Sequence, residues 1–204
     1  RDYKVTGVQT CALPIFDFLQ VGQTDTDSFT YTIEDGQGGS DTATVTILIN
    51  GLNDPPDANN DIGAGNDAFS TDEDTAISIN ANDGVLSNDV DPEGDPLTVV
   101  AVNGNAGDVG NQILLPSGAL LTLNSDGSYD YDPNGVFDFL QVGQTDTDSF
   151  TYTIEDGQGG SDTATVTILI NGLNDPPDAN NDIGAGNDAF STDEDTAISI
   201  NAND

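Results

Sequence analysis

The sequence has no histidine, methionine or tryptophan, a single cysteine, and two basic residues against 37 acidic ones. Each absence closes a class of function. Without histidine, and with the single cysteine, Cys11, and single lysine, Lys4, both inside the first fifteen residues that are set aside below, neither a nucleophile–base triad nor Schiff-base chemistry has the residues it needs. At a formal net charge of −35 nothing can neutralise phosphates, so nucleic acid is excluded as a partner and an anionic membrane surface repels the chain. No apolar run approaches the ~18 residues of a membrane span, which predicts no membrane insertion. One cysteine builds no disulfide framework.

What is present is repetition. Phe16–Asp83 recurs letter for letter as Phe137–Asp204, an offset of 121 positions (137 minus 16). That length suits one domain and is too long for a solenoid repeat. Packing alone does not hold solvent-facing positions fixed, so the identity points to recent duplication, recombination or an assembly error. Ile15 precedes the first copy where Val136 precedes the second. The run Val5 to Ile15 resembles a translated sequencing adapter, and residues 1–15, which contain both basic residues and Cys11, are set aside as non-native. They do not read as a signal peptide, because no uninterrupted apolar core is long enough.

The run Asn50-Gly51-Leu52-Asn53-Asp54-Pro55-Pro56-Asp57-Ala58-Asn59-Asn60-Asp61 returns as Asn171 to Asp182. Turn formers, stiff prolines and clustered oxygen-bearing side chains give it the composition of a joint. It divides the chain into 16–54, the closing part of a first repeat; 55–172, a complete repeat; and 173–204, a linker with the opening of a third. Ser28–Ile33 and Thr42–Ile49 alternate polar with apolar residues, as antiparallel strands with one wet face do. Asp35 to Ser40 supplies a glycine-rich hairpin turn between them. In the complete repeat, strands are expected near Ala76–Ile79, Leu97–Val102, Gln112–Leu115, Ala119–Leu123, Ser128–Tyr131, Ser149–Ile154 and Thr163–Ile170. With no helical periodicity, the predicted fold is all-β: tandem Ig-like antiparallel β-sandwich domains.

Two readings of the acidic loops follow from the residues. Asp89, Asp91, Glu93 and Asp95 alternate along one loop with Gly94 among them, like the first half of an EF-hand. Val100 stands where the bidentate glutamate belongs, so the complete motif is rejected. A half-site that borrows ligands across a joint remains, beside the plainer reading of solvated, solubilising loops. Two carboxylates ~5 Å apart in water repel by roughly 0.8 kcal/mol, and no basic residue is near to relieve them, which favours a bound cation.

The run Phe150 to Ile168 followed by Asn174-Asp175-Pro176-Pro177 resembles the VCBS-type, cadherin-like repeats of large bacterial surface proteins, RTX adhesins among them. So do Glu73-Asp74-Thr75 and the run Asn88 to Val99. The resemblance implies a cadherin-like sandwich in a tandem array, part of an adhesin at the cell surface, secreted by a type I system and serving cell adhesion and biofilm. It implies Ca2+ between neighbouring repeats, the chain's expected partners. Asn53 and Asp54 match linker ligands, Asp89 and Asp91 the paired aspartates of the following domain, and Glu73 the acidic residue near a domain start. Glu73, Asn174 and Asp175 match the second joint, and Glu93 and Asp95 complete the half-site. Gly51 departs from the pattern, standing where an aspartate is expected.

Catalysis is not expected. Glu155 and Asp156 would point to opposite faces of a strand, and Tyr129 and Tyr131 read as the buried partners of Asp130 and Asp132. Phe29, Tyr31, Phe150 and Tyr152 read as core, and Phe137 with Phe139 as a candidate exposed patch. The alternative function is a module that binds carbohydrate or a cell-surface protein through the loop Asn103 to Gly110.

Overall fold

The computed structural model describes residues 4–6, 16–63 and 67–175. Along the chain run β1 (Lys4–Thr6), β2 (Thr24–Glu34), β3 (Ser40–Asn50), β4 (Asp61–Ile62), β5 (Ser70–Asp72) and β6 (Ile77–Ile79). They are followed by β7 (Thr98–Val102), β8 (Ile113–Leu114), β9 (Leu120–Leu123), β10 (Tyr129–Asp132), β11 (Thr145–Glu155) and β12 (Ser161–Asn171). Two short 3-10 turns, Asp67–Phe69 and Ala106–Asp108, are the only helical pieces among the described residues. The molecule is all-β, as its period-two patterning predicts.

The complete repeat is a sandwich. One sheet has the order β6-β10-β9-β8 and the other β4-β12-β11-β7, with β5 also paired to β12. The inner positions of β11 and β12 are Phe150, Tyr152, Ile154, Ala164, Val166, Ile168 and Ile170, all buried. Against them the other sheet sets Leu121, Leu123, Tyr129 and Tyr131. Tyr129 stacks on Phe69 at 5.8 Å between centroids and meets Phe150 edge-on at 6.3 Å, so the sheets interlock through aromatic rings. Burial of such side chains is the main stabilising term, at roughly 1.5–3 kcal/mol for each large one. The core aromatics are where the alternation places them. The pair Phe137 and Phe139 divides, the first buried and the second exposed.

The patterning does not disclose how the domain opens. β4 and β5 pair with β12 in parallel, Asp61 opposite Val166 and Ser70 opposite Leu169, whereas the other strand pairs among the described residues are antiparallel. Strands of two and three residues are too short to show a period.

The first-repeat hairpin β2–β3 has the register of β11–β12, with Phe29 opposite Val45 as Phe150 is opposite Val166. β1 pairs with β2, so a piece of the segment set aside from the sequence lies on this hairpin's edge. Burial nonetheless differs between the copies: Ile47 is 46% exposed and its counterpart Ile168 is 0%. Local sequence makes the hairpin, and an opposing sheet makes the core. The chain divides into two compact units, Arg1–Leu173 and Asn174–Asp204. Of the second, only Asn174 and Asp175 are among the described residues.

Candidate metal centre

The linker residues Asn53 and Asp54 are held by two elements distant in sequence. The Asn53 side-chain amide donates to Asp156 Oδ2 at 2.8 Å and to the Asp54 carbonyl at 3.1 Å. The Asp54 backbone N–H donates to Glu93 Oε1 at 3.3 Å. Asp156 closes the turn between β11 and β12: its Oδ1 accepts from the backbone N–H groups of Gln158, Gly159 and Gly160 at 2.7, 2.9 and 3.0 Å. The Asn53 amide, followed by these N–H groups, holds the Asp156 carboxyl below its ordinary value. Pro55 and Pro56 cover the same turn, and a Cβ on Gly160 would run into the Asp156 carboxylate and Pro55. Asp156 is buried, and sequence reasoning weighed it only as a partner of Glu155. The Asp-Gly pair opening a hairpin turn was the available signal.

The acidic loop folds around Asp91, whose Oδ1 accepts from the N–H groups of Glu93 at 3.0 Å and Asp95 at 2.9 Å. Its other oxygen, Oδ2, is buried with no hydrogen-bond partner, and the same holds for Glu93 Oε2. Loss of solvent raises the Glu93 carboxyl above its ordinary value, and the like charges of Asp54 and Asp91 add to that rise. Five predicted ligands, Asn53, Asp54, Asp91, Glu93 and Asp95, therefore gather at one end of the complete repeat. Gly51 has a steric reason to replace the expected aspartate. A Cβ there would run into the carbonyl oxygens of Leu19 and Gln20.

Asp89 stands apart from this group. Its Oδ1 accepts from Asn59 N–H at 2.7 Å, and both its oxygens lie within 3.2 Å of the Tyr152 hydroxyl. That hydroxyl also reaches the carbonyls of Val85 at 3.0 Å and Asn59 at 3.2 Å, and the buried Asp61 carboxyl is near enough to interact with it. Burial, reinforced by the Asp89 charge, raises the Asp61 carboxyl to about 7. Tyr152 reads from the sequence as core alone, and Asp61 only as the last residue of the joint-like run, not as a ligand.

Glu73 is also buried, and its Oε1 accepts from Leu173 N–H at 2.7 Å while Oε2 has no partner. Asn174 donates to the Asp175 carbonyl at 3.1 Å. The rest of the second joint lies outside the described residues. Among the described residues, no three acidic side chains form a ready-made metal cluster. In the loop proposed as an alternative binding surface, Asn105 caps the short Ala106–Asp108 turn and Asn103 Oδ1 accepts from Thr151 N–H at 2.9 Å. No aromatic residue lies between Asn103 and Gly110.

The bacterial cadherin-like domain matches residues 53–172, and a bacterial Ig domain matches residues 15–48. No curated protein sequence matches the chain. Among solved structures it is similar to repeats EC22–24 of mouse cadherin-23, at 15% identity and TM-score 0.36, over 72% of this chain and 42% of that one. Protocadherin gammaB7 EC3–6, a cis-dimer structure, is 16% identical with TM-score 0.30, over 83% of this chain and 38% of that one. An endo-fucoidan hydrolase of glycoside hydrolase family 107 gives 15% identity and TM-score 0.31, over 82% and 27%. The chain spans less than half the length of each of these structures.

Proposed function

The chain belongs to the bacterial cadherin-like domain family, a family of surface and adhesion-type repeat modules, and from that premise we propose that it is a calcium-stiffened spacer. In this reading it is a non-catalytic, VCBS-type segment of an RTX-like adhesin, exported by type I secretion, that carries an adhesive tip in cell adhesion and biofilm. Its partners are the neighbouring repeats of the same chain.

One observation carries the reading: Asp91 Oδ2 and Glu93 Oε2 are buried without partners where the linker meets the domain. A buried carboxylate oxygen without a donor is costly, and the chain offers no basic side chain here to answer it. The donor set is all oxygen, as Ca2+ requires. Carboxylates of Asp54, Asp91 and Glu93 would hold the ion, and the Asn53 amide and loop carbonyls would complete its shell. Restricting the linker's rotation is what calcium would supply there. With free calcium at ten to a hundred times the dissociation constant, each site adds roughly 1.4–2.7 kcal/mol.

The test is a thermal melt of the full chain in chelator, in millimolar calcium and in millimolar magnesium, with the Asp91→Asn/Glu93→Gln double variant beside it. Calcium alone should raise the wild-type midpoint by several degrees and raise the variant's by less. Equal calcium responses in both proteins would remove the joint as the site.

A further inference from the structure

We infer that the oxygen cluster around the Tyr152 hydroxyl is a second, interior cation site, held by Asp61 and Asp89, that takes a hard divalent ion of the calcium class. It lies where the opening segment of the domain and the acidic loop meet β11, with Asp61 and Tyr152 buried and Asp89 half-buried, and is separate from the linker site around Asp91 and Glu93.

The hydroxyl of Tyr152 has one proton to give. Facing it are both oxygens of Asp89, the carbonyls of Val85 and Asn59, and the carboxyl of Asp61. Acceptors outnumber donors, and only part of the shortage is made up elsewhere: the Asn88 side-chain amide donates to the Asn59 carbonyl at 3.3 Å. The Asn59 N–H serves Asp89 Oδ1, and the Asn88 side chain contributes to Asp61. Asp61 Oδ2 remains without any partner, in a residue only 3% exposed. The surrounding charge makes matters worse, because Asp57 and Asp162 both act on Asp89 as like charges. Asp162 Oδ2 is already used by Ala58 N–H at 2.9 Å.

An unpartnered, buried carboxylate oxygen within a group of carbonyl and carboxylate oxygens is the environment that a hard cation stabilises. The set contains no nitrogen or sulfur ligand, which disfavours zinc and copper. Its mixture of carboxylates, carbonyls and a phenol lacks the regular octahedral order that magnesium demands, whereas calcium accepts irregular shells. An ion here would join the opening segment of the domain (Asn59, Asp61) to the acidic loop (Asp89) and to β11 (Tyr152), linking three parts of one repeat.

The test uses the full chain, stripped with chelator and titrated with calcium in a calorimeter. Asp61→Asn should lose one of the calcium ions that the wild type binds. Asp91→Asn/Glu93→Gln should lose ions at the linker while retaining this one. Terbium replaces calcium in the second arm, with emission sensitised by tyrosine. Tyr152→Phe keeps the ring packing and should lose a large part of that emission, so the idea stays testable if Asp61→Asn fails to fold. Unchanged stoichiometry in Asp61→Asn, or unchanged terbium emission in Tyr152→Phe, would overturn the interior site. Calcium binding that disappears wholly in the linker variant would overturn it too and leave the linker reading standing. Loss in Asp61→Asn with none in the linker variant would do the reverse.

Discussion

The Asn53 side chain donates to Asp156 across 103 positions of sequence, at 2.8 Å. The linker is thereby fastened to the far hairpin of the domain that it introduces. Pro55 and Pro56 press on the same turn, so the opening of the repeat is defined by its close.

That contact should be measurable without any metal. Asp156→Ala removes the acceptor for Asn53 and for the N–H groups of Gln158, Gly159 and Gly160. We expect faster amide hydrogen exchange at those three residues and a lower melting midpoint in chelator. Asp35 forms the same turn in the first copy, accepting from Gln37 and Gly39, but it is exposed. Asp35→Ala should accelerate exchange locally and shift the midpoint less.

Glu93→Gln should act in opposite directions with and without calcium. In chelator it relieves like-charge repulsion from Asp54 and Asp91, so stability should hold or rise, by up to about 1 kcal/mol. In calcium the variant lacks a ligand charge, and its gain in midpoint should be smaller than the wild type's. Melts of both proteins in both buffers check the crossover.

Asp61 makes a pH prediction with a definite sign. Its folded value near 7 stands above the ordinary 3.8, so between those limits the native state binds more protons than the unfolded chain. The associated stability is fully present below about pH 4 and is lost as pH rises through about 7, by up to roughly 4 kcal/mol at 1.36 kcal/mol per unit. Asp61→Asn has no such proton to lose. Denaturant melts in chelator from pH 4 to 8 should therefore show the wild type losing stability relative to the variant as pH rises.

The two copies of the hairpin offer a control in one molecule. Ile168→Ala empties a fully buried position and should destabilise the complete repeat by about 2–5 kcal/mol. Ile47→Ala alters the identical residue at 46% exposure and should change stability by only about 0.5 kcal/mol. Denaturant unfolding of each variant separates them.

These contrasts show what the residues alone could disclose. Period-two alternation located β7, β9, β10, β11 and β12 and their inward faces, because side-chain direction along a strand is a local property. Asp35 to Ser40 marked the hairpin between β2 and β3, because its glycines supply the turn locally. The parallel pairing of β4 and β5 was hidden, since so few residues carry no period. The linker group of Asn53, Asp54, Asp91, Glu93 and Asp95 was legible as a dense run of oxygen-bearing side chains. The separation of Asp89 from Asp91 was not, because it depends on which neighbour each carboxylate meets after folding. Tyr152 shows the same limit: alternation assigns its ring to the core and is silent about its hydroxyl.

Small-angle scattering of the full chain, in chelator and then in millimolar calcium with magnesium as control, tests the spacer most directly. The account predicts that calcium alone lengthens the particle and narrows its distribution of distances, as linkers lose rotational freedom. A scattering profile that is the same in chelator and calcium would contradict it, and would leave the acidic loops as solvated surface.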